Sequence, residues 1–222
     1  MSRLSLALSD GSLIPQIAYG LYLVPPEDVR PCVRAALSAG YRHFDSAAFY
    51  ANEAELGAAL AEAAADGLVD RDEVFLTTKV WTTDATFDDA VASIERSYAE
   101  LNNLNDATST DGAAAVAPPP PPPRPISLAL VHWPVPGGAH IEMYRALQQC
   151  HARGLVARLG LSVRAPAAAP ARIVLYLARA CGGRAIIAVV CTAQRRGLAW
   201  AHAALRPAPR FFLFGAWARR GT

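Results

Sequence analysis

Between residues 17 and 163, five short apolar runs alternate with four longer stretches of helical periodicity. The apolar runs are 17–22, 42–45, 74–80, 126–132 and 157–162; the helical stretches are 27–39, 53–65, 87–101 and 139–153. In 53–65, for example, Leu56, Ala59, Leu60 and Ala63 share one face at spacings of three and four. Strict alternation of this kind predicts a parallel sheet covered by helices. The run 126–132 is apolar almost throughout, as a strand buried on both faces must be. No G-x-G-x-x-G follows any strand, which removes the sequence signature of the doubly wound dinucleotide fold. The expected fold is therefore α/β, a (β/α)8 TIM barrel. It is expected to be partial, because 222 residues fall short of the roughly 250 such a barrel uses and about five units are recognisable.

Local signals support these boundaries. Asp10-Gly11 between two apolar runs predicts an N-terminal hairpin. Pro25-Pro26 opens the first helix and Gly40 closes it. Thr86, with Asp89 three residues on, forms a variant capping box. Residues 102–125 break the rhythm: they are rich in Asn, Thr and Ala and end in six consecutive prolines, Pro118–Pro123. Residues 104–124 therefore read as an exposed, poorly ordered insertion.

Charge divides the chain a second way. Residues 1–163 carry all 19 acidic groups against 11 basic ones, a net of −8. Residues 164–222 carry ten arginines and no acid, a net of +10, where ordinary usage gives roughly six acids. The expected organisation is a barrel portion, 1–163, and a divergent basic tail, 164–222, which contributes whatever strands remain. A composition dominated by Arg, Ala and Pro is what a GC-rich gene yields in a shifted frame or across a retained intron, so a truncated or mis-built gene product is the expectation. The overall charge of +2 favours neither nucleic acid nor anionic membrane. The four cysteines show no C-x-x-C pairing and no zinc spacing. Neither a leader peptide nor a spanning run is evident. A cytoplasmic setting without metal is expected.

The polar residues fall at informative places. Asp45 ends the second run, Tyr50 follows in the next loop, Lys79 ends the third and His132 ends the fourth. Barrel enzymes build their sites at the C-terminal ends of strands, so these four are expected to converge on one mouth. Their chemistry is complementary. A carbonyl accepting a hydride needs a proton donor; tyrosine is a reluctant one until a neighbouring ammonium favours its phenolate. A carboxylate keeps that ammonium charged, and a neutral imidazole orients the substrate oxygen. Lys79 is the sole lysine among 21 basic residues. His43 and His151 read as structural.

Three segments carry a family resemblance. Gly40–Tyr50 (GYRHFDSAAFY), followed by Asn52-Glu53 and Gly57, resembles the aldo-keto reductase pattern G-Y-R-x-x-D-T-A-x-x-Y-x-N-E. Thr77–Trp81 (TTKVW) is similar to that family's T-x-K-x-W strand, and Leu130–Pro134 (LVHWP) to its L-x-H-W-P strand. The resemblance implies carbonyl reduction with NADPH, with NADH as the alternative cofactor, on a small-molecule aldehyde or ketone. It implies Tyr50 as proton donor, Asp45 and Lys79 as its tuning pair, His132 as the group orienting the carbonyl, and Trp81 lining the substrate pocket. Leu159–Ser162 matches the family's L-G-x-S strand, which assigns Ser162, with Asp45, to the cofactor. The asparagine that follows in the family is replaced here by Val163, and no later cofactor motif matches. The chain is therefore expected to be a weak catalyst. The competing reading is a non-catalytic remnant acting as an interaction protein.

Overall fold

A computed structural model describes residues 5–8, 11–104, 122–133, 136–163, 187–190 and 211–213. A short antiparallel hairpin, β1 (Ser5–Ala7) and β2 (Leu13–Pro15), precedes the main sheet. The sheet runs through β3 (Ile17–Gly20), β4 (His43–Asp45), β5 (Phe75–Val80), β6 (Leu128–Val131), β7 (Leu159–Val163) and β8 (Ile187–Val190), all parallel between neighbours. Between them lie α1 (Pro26–Ser38), α2 (Glu53–Ala65), α3 (Phe87–Leu101) and α4 (His140–Ala152). This is the TIM-barrel plan carried part of the way round.

One strand departs from the expected pattern. Residues 164–222 offered no clear period beyond 191, yet β9 (Phe211–Leu213) pairs antiparallel with β3. In a closed all-parallel barrel that edge of β3 would meet the last parallel strand. Residues 173–180, whose apolar run suggests a helix, and the proline-rich insertion lie outside the described residues, apart from the insertion's ends. There the Asn102 side chain donates to the Arg124 carbonyl (3.1 Å) and accepts from the Arg124 amide (2.8 Å), so the two flanks are pinned together. No helix among the described residues is long and apolar enough to cross a membrane.

The helices form because their apolar stripes meet the sheet and each other. Leu56, Ala59, Leu60 and Ala63 of α2 are fully buried, packed with Val29, Val33 and Phe44. Each of the two leucines contributes about 1.5–3 kcal/mol on burial, and each alanine less. The Thr86 hydroxyl accepts from the Asp89 amide at 3.1 Å, so the inferred cap is present. Gly40 has φ +93, and the Tyr41 amide bonds back to Ala36, closing α1 in the left-handed conformation glycine favours. Gly57 serves a different need: a Cβ there would lie 2.0 Å from the Glu100 carbonyl oxygen, so α2 and α3 approach as closely as they do only because it is absent.

Candidate active site

All four candidate residues lie at or just beyond the C-terminal ends of β4, β5 and β6. Asp45 is the last residue of β4 and pairs with Thr77 of β5 in the parallel register. That register sets Lys79, two residues further along β5, above Asp45. The Lys79 Nζ donates to Asp45 Oδ2 (2.8 Å), to the Ser46 carbonyl (2.8 Å) and to the Tyr50 hydroxyl oxygen (3.1 Å). An ammonium has three protons, so this group is fully committed. The Lys79 and Asp45 side chains are only 6% and 4% exposed, which makes the pair a buried one.

The electrostatics follow from that burial. Desolvation pushes the Asp45 carboxyl above its ordinary range, and the Lys79 charge pulls it back. Burial also works against the Lys79 ammonium, but Asp45 and the Tyr50 oxygen outweigh it and hold the amine above its usual value. The direction that matters is that of the lysine: the pair is an ion pair at neutral pH. His132 stands beside it with its ring centroid 5.9 Å from that of Tyr50. Burial, followed by the Lys79 charge, lowers its pKa to about 3, so the imidazole is neutral.

Tyr50 is delivered by a short 3-10 turn, Ala48–Tyr50, which ends at Ala51 with φ 52. A non-glycine residue in that region costs about 1–2 kcal/mol. The turn is held by Asn52, whose side chain donates to the Leu21 and Val24 carbonyls and accepts from the Ser46 hydroxyl. The loops after β3 and β4 are thus tied together. An aromatic wall surrounds the hydroxyl. Trp81 stacks on Phe49 with centroids 4.0 Å apart and packs edge-on against His132 at 4.8 Å. Trp133 lies 5.7 Å from Trp81 and is 42% exposed, so it belongs to the rim and not to the core. Ser162, near the end of β7, is buried.

Sequence reasoning missed several parts of this arrangement. Phe49 and the Ser46 carbonyl carry no recognisable signal. Asn52 and Glu53 had been noted only as part of a pattern. Glu53 proves to be buried behind the site, accepting hydrogen bonds from Thr78 (2.5 Å) and Ser97 (2.6 Å). His43 is structural, as expected: it contacts the Pro15 carbonyl and the Thr77 hydroxyl, and burial lowers its pKa to about 4.

Comparison with known proteins agrees with this architecture. The Aldo/keto reductase family pattern matches residues 17–107. An aldo-keto reductase of Mycobacterium sp. (strain JLS) is 35% identical over 157 residues, covering 70% of this chain and 48% of the relative. Aldo-keto reductase family 1 member A1 of Bos taurus is 32% identical over 182 residues, covering 73% and 50%. This chain belongs to the aldo-keto reductase family. Among solved aldo-keto reductases, that of Brucella melitensis superposes with a TM-score of 0.67 at 26% identity, covering 85% of this chain and 63% of its own. The Bombyx mori aldo-keto reductase, determined in complex with NADP, gives 0.63 at 26% identity, covering 86% and 67%. The chain spans about half the length of the curated aldo-keto reductases it matches.

Proposed function

We propose that this chain is an NAD(P)H-dependent reductase of aldehydes and ketones in which Tyr50 is the proton donor. The observation that supports it most is the Lys79 ammonium bridging Asp45 and the Tyr50 oxygen in a half-enclosed aromatic mouth. Tyr50 gives its hydroxyl proton to the carbonyl oxygen of the substrate. The Lys79 N–H directed at the phenolic oxygen stabilises the charge left there, and Asp45 keeps the lysine protonated while that happens. His132, neutral through the physiological range, donates a hydrogen bond to the same carbonyl oxygen and orients it. Trp81 lines the pocket and, with Phe49, keeps water from the reacting atoms.

NADPH is the proposed cofactor, with NADH as the alternative. A nicotinamide nucleotide supplies the hydride when bound. The site has groups that fit one: Asp45 Oδ1 is buried without a partner among the described residues, and Ser162 offers a buried hydroxyl near the end of β7, three strands along the sheet. Both suit a ligand bearing hydroxyl and amide groups. Cys150 is a free, buried thiol, which suits a reducing, cytoplasmic setting.

The proposal includes weak activity. Among the described residues the sheet is open, β8 and β9 each pairing on one side only, and the candidate cofactor groups are Asp45 and Ser162. A placement error of about 1 Å costs about a hundredfold in rate. NADPH consumption over an aldehyde panel should be slow, and Tyr50→Phe should abolish it. Turnover near 1 per second or faster would overturn the weak-activity reading; activity surviving in Tyr50→Phe would overturn the proton-donor role. The open sheet also favours the second reading, a non-catalytic interaction protein. In that case NADPH leaves the fluorescence of Trp81 and Trp133 unquenched.

A further inference from the structure

Tyr50 and Lys79 meet at 3.1 Å although 29 residues separate them in sequence. Tyr50 lies in the connection from β4 to α2 and Lys79 in β5, so the gap between those two segments decides whether the pair can form. The connection is fastened to β5 on each side of Tyr50. Before it, the Ser46 amide donates to the Thr77 carbonyl (2.9 Å). After it, Glu53, the first residue of α2, accepts from the Thr78 hydroxyl (2.5 Å). The two anchors land on consecutive residues of β5, and the residue after them is Lys79.

Thr78 and Lys79 leave the strand on opposite faces. Glu53 therefore grips β5 from the helix side while Tyr50 meets Lys79 from the mouth. Between Tyr50 and Glu53 stands Ala51, whose φ of 52 belongs to a strained turn. Such a turn persists only while its surroundings pin it, so releasing the Glu53 end lets it relax. The choice of group also bears on the role. Burial pushes the Glu53 carboxyl above its ordinary range, and among the described residues it forms no ion pair. An apolar side chain would pack α2 on the sheet at less cost. It could not fix a distance, because apolar contact has no direction, whereas a hydroxyl–carboxyl bond holds its atoms to within about half an ångström.

We propose that Glu53 is a positioning residue of the reductase site: through the Thr78 hydroxyl it sets the distance between Tyr50 and Lys79. The kinetic consequence rests on the reductase reading, and the geometric one does not need turnover. Ser97 holds the other carboxyl oxygen to α3 (2.6 Å) and lies off the line to Lys79. The two hydroxyls on one carboxyl thus separate positioning from support.

Two measurements on the full chain test it. Lys79 is the only lysine in the sequence, so protein made with nitrogen-15 in the lysine side chain gives a single ammonium resonance. Tyr50→Phe fixes where that resonance lies once the Tyr50 contact is lost. Thr78→Val should move it toward the Tyr50→Phe position. The same variant should lower kcat about tenfold, the effect of a displacement of about half an ångström, with KM changed by less than about twofold. Thr78→Ser, which keeps the hydroxyl, should restore both readouts. Ser97→Ala should change kcat by less than about threefold and leave the resonance close to wild type. A resonance unmoved by Thr78→Val, or moved as far by Ser97→Ala, overturns the inference, and so does an equal loss of kcat in the two variants. Absence of any NADPH consumption by the wild type counts against the reductase reading alone, and the lysine resonance then decides the positioning role. Should Thr78→Val fail to fold, Thr78→Cys, of similar volume and only a weak donor, takes its place under the same criteria.

Discussion

Asp45 and Glu53 are two carboxyls eight residues apart, both almost fully buried, and both addressed by β5. Burial pushes each above its ordinary value, and what meets them differs. Asp45 meets the Lys79 ammonium. Glu53 meets only the hydroxyls of Thr78 and Ser97. Thr78 and Lys79 are consecutive in β5, so their side chains leave the strand on opposite sides. One face receives an ion pair and the other a carboxyl held by hydroxyls between sheet and helices. The contrast shows how a single strand supplies both chemistry and its support. Charge is concentrated at the mouth of the sheet, and hydroxyls serve where a carboxyl needs only to be held.

Several variants would break or sharpen that contrast. The largest effect belongs to Lys79→Met, which leaves Asp45 buried without its cation. Chemical denaturation should show a loss of about 3–5 kcal/mol, and any reductase activity should vanish. Adding Asp45→Leu should restore most of the lost stability without restoring activity; continued instability of the double variant would show that Asp45 is not the group left exposed to the cost. Glu53→Ala comes next. It orphans two hydroxyls and opens space beside α3, for about 2–3 kcal/mol. Glu53→Gln, which retains an acceptor, should cost about 1 kcal/mol or less, a difference readable in the same denaturation curves.

The pH dependence separates the two carboxyls further. The folded Glu53 holds its proton more tightly than the unfolded one. Its contribution is therefore complete below the unfolded value of 4.5 and fades as pH climbs through the raised folded value. Wild type minus Glu53→Gln should thus show stability falling with rising pH across that window. A flat difference curve would mean that Glu53 titrates normally. His132 and His43 act in the opposite direction in both proteins. Their folded values near 3 and 4 mean that their contributions are present above 6.5 and are lost on acidification. An effect as small as that of Glu53→Gln belongs to Ser97→Ala: about 1 kcal/mol with the Asp45–Lys79 pair untouched, measured as a modest drop in Tm.

Much of this was legible in advance where local chemistry decides. The bounds of α2 and α3 follow from their apolar stripes and from Thr86, because a helix closes on itself and carries its own signals. Strands proved shorter than their apolar runs. Ile126 makes only an isolated bridge to Val156, since a ladder needs a partner of matching length. Phe211–Leu213 escaped notice because a short apolar run after Arg210 says nothing about pairing with a strand almost 200 residues earlier. At the candidate site, ionisable groups at strand ends pointed to the tetrad. The Ser46 carbonyl did not, because a backbone acceptor leaves no trace in residue identity.

The Asn102 side chain, bonded both ways to the Arg124 backbone, holds those two positions together. With its flanks pinned on the folded core, the chain that joins them is a tether closed at its base. Closing such a tether costs little more as it lengthens, about 0.6 kcal/mol for each doubling. The position is therefore a natural graft point. Peptide tags, reporter modules or whole domains could be spliced there with the sheet left to fold around an unchanged clasp.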